Sequence, residues 1–418
     1  MLTVLLLSGA FLAGLVATAG LLPLVLRLAI VDGVIDLPDA RRVHKIPIPR
    51  AGGVALLGGV VFATSAAMYS SALRARPFTD LRLFAAVLVG TAMIAAVGLY
   101  DDIVGLRPWQ KITGQTIASI AVFLLGVRIE HISGVALPLP LDFVLTIAWF
   151  LFVTNAFNLI DGIDGLASCL GVVCCIGLLA HLLMRGANDE ALVVAGLLGS
   201  LIAFLRWNLP PARLFLGDTG SNALGYLLGL LIVLACGHKG SVGGWWVPFF
   251  IVGVPFVDTV LAIWRRSVRY RLVRKLQNKK DTGVFSADLD HIHHRIARRG
   301  FNTLTVVGIL SFSQLLLVLT SVAGSVWGEM WGIVPVISLG AVLLFLSLIG
   351  GLLEARLTKE LIKSFWVSDP FRVENKCSDE QVEKNTSDRQ SSESAPESSM
   401  NSRVVCSCEK VAGELPLA

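Results

Sequence analysis

The chain has 418 residues, 55% hydrophobic and 16% charged, with a formal net charge of +5 and a mean hydropathy of +0.73. A soluble domain carries roughly 25% charged residues, so this composition excludes an ordinary water-soluble globule and predicts an all-α, polytopic integral membrane protein. Neither a G-x-G-x-x-G fingerprint nor a Walker loop is present, which argues against an ATP-driven pump.

About twenty apolar residues cross a bilayer. Eleven segments reach or approach that length: 2–30, 51–72, 83–99, 112–127, 138–157, 165–184, 191–205, 221–236, 244–263, 303–325 and 331–353. The first is about twice as long as a signal-peptide core and shows no small-residue cleavage site behind a charged start, so it reads as a retained span. With the N-terminus outside, alternation puts Arg41, Arg42, Lys45, Arg50, Arg107, Lys111, Arg206, Arg213 and the dense basic run of 264–302 inside. Arg74, Arg76, Arg82, Arg128, Arg185 and Lys239 are left outside. That bias obeys the positive-inside rule and predicts a cytoplasmic C-terminus.

The breaks between spans carry the chemistry. RRVHKIPIPRAGGVAL supplies His44, Lys45 and Arg50 at the inside end of the second span, with Gly52 and Gly53 allowing close backbone approach. The third span ends in Asp101-Asp102. Neighbours on a helix point about 100° apart, so one of the two need face a ligand, as metal ligand or general base; the pair also fits a solvated helix end. Between the fifth and sixth spans lies VTNAFNLIDGIDGLAS. Steps of three residues rotate by about −60° on a helix, which puts Asn155, Asn158 and Asp161 on one face. Asp164 joins them if Gly162 and Gly165 end the helix and turn the chain back. Such hard oxygen donors suit Mg²⁺, which takes one or two carboxylates plus substrate phosphate.

FLGDTGSNALG puts Asp218 just before the eighth span. Asp218, Thr219 and Ser221 are good helix N-caps, while Gly217 and Gly220 let backbone N–H groups approach a phosphate. Asp258 lies well within the ninth span, where an ionisable side chain is expected to face inward and be paired. The loop 264–302 begins as a basic amphipathic segment suited to anionic headgroups. It ends in HIHHR, where His291, His293, His294 and Arg295 fit a diphosphate better than a zinc ion without thiolate partners. The seven cysteines are scattered through apolar spans and the polar C-terminal region and imply no disulfide framework. A membrane catalytic region over 1–355 is followed by a cytoplasmic tail, 356–418, polar and disordered from about 373.

All these groups fall on one side of the membrane. An ionisable residue at membrane depth costs about 2.5–3.5 kcal/mol, so the gathering points to an enzyme acting at a membrane face. A secondary transporter is the alternative; its ionisable residues would lie near the midplane at repeat interfaces, whereas here they lie at span ends and no repeat is visible.

In this order, HKIPIPRAGG, GLYDDIVGLRPWQKITGQ, NAFNLIDGIDGLAS, FLGDTGSNALG, PFVDT and HIHHR resemble the motifs of the polyprenyl-phosphate N-acetylhexosamine-1-phosphate transferases. The phospho-N-acetylmuramoyl-pentapeptide transferase belongs to the same superfamily. The resemblance covers roughly residues 30–355. It implies transfer of a sugar 1-phosphate from a UDP-sugar to undecaprenyl phosphate at the cytoplasmic face of the cell inner membrane, releasing UMP and starting O-antigen, teichoic acid or another envelope polysaccharide. It also implies Mg²⁺, with Mn²⁺ as a substitute, held by Asp218 and Asn158. The catalytic positions it implies are Asp101, Asp102, Asp161 and Asp164; the substrate-binding ones are Lys45, Lys111, Asn155, His291, His293, His294 and Arg295. HIHHR, rather than three consecutive histidines, is similar to the N-acetylglucosamine branch, so UDP-N-acetylglucosamine is the default donor and other N-acetylhexosamines stay open. Membrane lipid is a further partner, nucleic acid is not expected, and a homodimer stays open. Direct attack by the lipid phosphate is preferred to a covalent Asp-phosphate intermediate, because a phosphate monoester with a second pKa of about 6 is already ionised near neutral pH.

Overall fold

The computed structural model describes residues 2–37, 46–73, 81–132, 134–236, 246–277, 291–327 and 337–342. All belong to the first of the chain's two units, Met1–Leu352. Lys45, most of the predicted eleventh span and the tail lie outside the described residues.

The elements in chain order are α1 (Leu2–Val31), β1 (Ile35–Asp36), β2 (Ile48–Pro49), α2 (Gly52–Leu73), α3 (Leu81–Val104), α4 (Pro108–Leu124), β3 (His131–Ile132), β4 (Val135–Ala136), α5 (Leu139–Ile160), α6 (Leu166–Arg185), α7 (Asn188–Asn208), α8 (Gly217–Cys236), α9 (Val247–Ile251), α10 (Gly253–Gln277), α11 (Ile292–Ala297) and α12 (Thr303–Trp327). Among the described residues, 8 helices are long and apolar enough to cross a membrane: α1, α2, α3, α5, α6, α7, α8 and α12. The protein is a multi-pass membrane protein built on helices.

Two predicted spans take a different form. The fourth is α4, a 17-residue helix with Pro at its start, where the missing N–H costs nothing. The ninth is divided into α9 and α10 around Val252. Gln314 of α12 fills the break: its Nε2 donates to Phe250 O at 3.1 Å and Ile251 O at 2.7 Å, and its Oε1 accepts Val254 N at 2.8 Å. Backbone groups freed in an apolar setting cost several kcal/mol each if left unsatisfied, so one buried amide makes the break tolerable.

α8 is the central helix, buried almost throughout, and packs against α2, α3, α5 and α6. α1 packs on α2 and α7 at the periphery, with Leu5, Leu12, Val16 and Leu28 exposed as lipid-facing side chains. α2 and α8 touch backbone to backbone at the site end: a Cβ on Gly53 would lie 2.2 Å from Gly220 N. Small residues permit this approach between membrane helices, so these glycines serve helix packing rather than contact with a phosphate. The two-residue ladder of β1 and β2 pairs Asp36 with Ile48 and brings Asp36 and Arg50 together beside the start of α8.

Candidate active site

The chain enters α8 through Gly217, whose φ of 74° is a backbone shape that glycine adopts at no steric cost. The first N–H groups of a helix have no partner within it. Here they find one 116 residues back in the chain: Asp218 N donates to Asp102 Oδ1 at 2.9 Å. Thr219 gives two more bonds to Asp102 Oδ2, from N at 2.9 Å and from Oγ1 at 2.7 Å. A carboxylate at a helix N-terminus is also favoured by the macrodipole. Asp102 is therefore the cap that ties α3 to α8. The phosphate expected at these N–H groups is displaced by this carboxylate, which corrects that reading.

Asp101 faces the other way. Its Oδ2 lies 2.5 Å from Lys111 Nζ, and its Oδ1 accepts Leu106 N at 2.6 Å. Lys111 Nζ is also 3.4 Å from Asp218 Oδ1. The other side of Asp218 meets Arg50, whose Nη2 is 3.3 Å from Asp218 Oδ2 and 3.1 Å from Asp102 Oδ1. Arg50 Nη1 reaches Asp36 Oδ1 at 3.5 Å. Asn158 Nδ2 donates to Asp218 Oδ1 at 2.5 Å and to Ser221 Oγ at 3.0 Å. Asp218 is thus gripped by an amide, an ammonium and a guanidinium.

The Asn/Asp ladder divides. α5 stops at Ile160, the chain turns through 161–165, and Gly165 enters α6 at a φ of 76°. Asp164 is turned back by this loop, as expected from its glycines, and its Oδ2 accepts Ala212 N at 2.9 Å. Asn158, Asp161 and Asp164 line a cavity of about 300 Å³ together with Asp36, Arg50, Asp218 and His294. Burial, then the nearby carboxylates of Asp218 and Asp102, push the Asp161 carboxyl well above the usual range. Asn155 lies behind the cavity. Its Nδ2 donates to Gln115 Oε1 at 2.7 Å, Gln115 Nε2 to Asn222 Oδ1 at 3.3 Å, and Asn222 Nδ2 to Asp218 O at 2.7 Å.

The histidine segment also divides. His291 is buried, with Nδ1 2.9 Å from Asp258 Oδ2 and Nε2 3.4 Å from Arg266 Nη2. His293 is fully buried, and that burial lowers its pKa to about 3. His294 lines the cavity, its pKa lowered by burial and by His291 and Arg298. Arg295 is buried and does not line the cavity. Of the four, the structure brings His294 to the cavity wall and places the others behind it.

Two residues outside the expected set hold the arrangement together, Arg50 at the cavity wall and Asp258 behind it. Arg50 bridges three carboxylates; the PIPRAGG motif and its inside position were its only signals. Asp258 anchors His291, and its signal was a lone carboxylate within an apolar span. Among the described residues, no group of three or more His, Cys, Asp or Glu is placed to hold a metal ion. The four described cysteines are free.

Comparison with known proteins points the same way. A Bacillus subtilis (strain 168) protein named "probable undecaprenyl-phosphate N-acetylglucosaminyl 1-phosphate transferase" is 31% identical over 329 residues, 76% of this chain and 86% of its own. The decaprenyl-phosphate N-acetylglucosaminephosphotransferase of Mycobacterium tuberculosis (strain ATCC 25618 / H37Rv) is 31% identical over 304 residues, 66% of this chain and 72% of its own. The undecaprenyl-phosphate alpha-N-acetylglucosaminyl 1-phosphate transferase of Thermotoga maritima is 33% identical over 284 residues, 67% of this chain and 79% of its own. The family described as glycosyl transferase family 4 matches residues 84–236. That stretch runs from α3 to the end of α8, through the helices that bring Asp101, Asp102, Asn158 and Asp218 together, and with relatives matching along most of its length the chain belongs to glycosyl transferase family 4.

Proposed function

We propose that this protein transfers N-acetylglucosamine 1-phosphate from UDP-N-acetylglucosamine to undecaprenyl phosphate at the cytoplasmic face of the cell inner membrane, initiating an O-antigen, teichoic acid or other envelope polysaccharide. The observation that carries this reading is Asp218 at the cavity between Asn158 at 2.5 Å, Arg50 at 3.3 Å and Lys111 at 3.4 Å. Both substrates are anionic, and the cavity wall carries Arg50 among Asp36, Asp161, Asp164 and Asp218, so Arg50, the adjacent Lys111 and a divalent ion held at Asp218 would together offset the repulsion. The names of the relatives support the donor sugar and the lipid class, and the positive-inside pattern supports the cytoplasmic face.

In the step itself, an oxygen of the lipid phosphate bonds to the phosphorus that carries the sugar. The bond from that phosphorus to the bridging oxygen breaks, and UMP leaves with the electron pair. Charge spreads over the phosphoryl oxygens, so positioning and electrostatic stabilisation supply most of the catalysis. Lys111 and Arg50 are the fixed donors for that charge. Asp101 orients Lys111, and Asp102 holds the start of α8, so neither needs to act as a strong base on a phosphate already ionised near neutral pH. Asp161 and Asp164 line the same cavity and are placed to orient the substrates.

The residues also fit a divalent ion. Asp218 offers hard oxygen donors, as does Asn158 with its amide turned from the Nδ2 contact to Asp218, and two protein ligands with the remainder from phosphate and water are what Mg²⁺ favours. They would hold Mg²⁺, or Mn²⁺ in its place, and the ion would supply Lewis-acid neutralisation of diphosphate charge.

The test is the purified protein in detergent with undecaprenyl phosphate and, separately, radiolabelled UDP-N-acetylglucosamine and UDP-N-acetylgalactosamine. Labelled lipid and UMP in equal amounts, formed from the first donor with Mg²⁺ and lost on adding a chelator, are expected. Product from the second donor alone would change the sugar. Product from neither would overturn the reading.

A further inference from the structure

α11 has 6 residues. Helices shorter than about 12–15 residues are marginal by themselves, so tertiary contacts must hold α11 in place. Two stand out. The first is Asp258, 1% exposed, which uses both oxygens on the segment: Oδ2 on His291 Nδ1 at 2.9 Å and Oδ1 on Ile292 N at 2.7 Å. A buried carboxylate must be paired to be tolerated, and here the pairing caps α11. Asp258 is itself placed by the start of α10, which Gln314 ties to α12 through Val254 N.

The second contact is His293 on Gly162. The ring is 0% exposed, and a Cβ on Gly162 would lie 2.6 Å from its Nε2. Gly162 is not among the glycines with positive φ, so the missing methyl is needed for the ring and not for the backbone. Gly162 lies in the loop that carries Asp161 and Asp164 into the cavity. The His293 and His294 rings are 4.3 Å apart, so the position of one sets that of the other.

We infer that α11 is pinned at two points, His291 on Asp258 and His293 on Gly162, and that these pins hold His294 at the cavity wall, where its imidazole suits the diphosphate of the donor. Asp258, His293 and Gly162 are then positioning residues for the transfer. This inference rests on the reading given under the proposed function.

The experiment compares wild type, Gly162→Ala, His293→Asn, the double variant Gly162→Ala/His293→Asn, and Asp258→Asn. Each is assayed for kcat and for KM of both substrates, and for amide hydrogen exchange over 291–297. Gly162→Ala should raise the KM for UDP-N-acetylglucosamine about tenfold, leave the KM for undecaprenyl phosphate unchanged, and speed exchange in the segment. The smaller Asn side chain makes room for the methyl, so the double variant should recover toward His293→Asn alone. Asp258→Asn should show the same split between the two KM values. The inference is overturned if Gly162→Ala matches wild type in both measurements, if the double variant is no better than Gly162→Ala, or if both KM values rise together. Should wild type transfer nothing from UDP-N-acetylglucosamine, the functional reading falls, while the exchange rates still decide whether the pins exist.

Discussion

Asn158 and Asp218, 60 residues apart in the chain, meet side chain to side chain at 2.5 Å. The contact joins the last turn of α5 to the first turn of α8 at the wall of the cavity. Asp218 supplies the only negative charge in that pair, and Lys111 and Arg50 are arranged around it. Asp218→Asn keeps the shape and removes the charge. Transfer should fall on the order of 10²–10³-fold, with membrane insertion and expression unchanged. Near-normal turnover at saturating Mg²⁺ would remove Asp218 from the metal-binding residues.

Much of this site was legible because a membrane chain hides little. Polar residues at span ends stand out, and charge alternation puts them on one side. Asp101, Asp102, Asn158, Asp161, Asp164 and Asp218 do converge. Less legible was which atoms each would meet. Asp102 caps a helix that begins 116 residues later, a pairing that no local spacing encodes. His291 and His293 face inward because Asp258 and Gly162 receive them, and a three-histidine run in a basic loop looks the same whether it faces a ligand or the core. Helix ends suffered likewise. The break at Val252 depends on Gln314, 60 or more residues away, so an unbroken ninth span was the natural expectation.

Arg50 spans Asp36, Asp102 and Asp218 with one planar fork. A lysine offers a point charge and cannot hold all three at once. Arg50→Lys should therefore lower kcat/KM about tenfold or more, and Arg50→Ala should be worse, because three carboxylates would face one another without their shared cation. Full activity in Arg50→Lys would show that charge alone suffices at this position.

The relay from Asn155 through Gln115 and Asn222 to Asp218 O predicts coupled effects. Gln115 is 1% exposed. Gln115→Leu fills the space but strands the buried Asn222 Oδ1, at about 1–3 kcal/mol for a buried group left unsatisfied, while Asn155 keeps its bond to Leu151 O. Thermal stability in detergent should drop, and kcat should drop with it as Asp218 loses its support. Asn155→Ala should act through the same chain, so the double variant should cost little more than the worse single one. Strictly additive losses would show that the amides do not work as one unit.

His293 predicts a pH dependence of stability. Burial lowers its pKa from the ordinary 6.5 to about 3, so the folded protein keeps the ring neutral where the unfolded chain would protonate it. Above about pH 6.5 neither state binds the proton, and His293 adds no slope. As pH falls from 6.5 toward 3 the unfolded state binds more protons, and the fold loses stability. The Asp161 carboxyl, pushed the other way, contributes with the opposite sign, so the quantity to measure is the difference between wild type and His293→Gln. From pH 8 to 7 the two proteins should keep a constant offset in thermal midpoint. From pH 6.5 to 5 the wild-type midpoint should fall relative to the variant, because Gln cannot titrate. An offset that stays constant down to pH 5 would mean that the His293 ring is protonated as readily in the folded protein as in the unfolded chain, and that its burial beside Gly162 does not exclude the charged form.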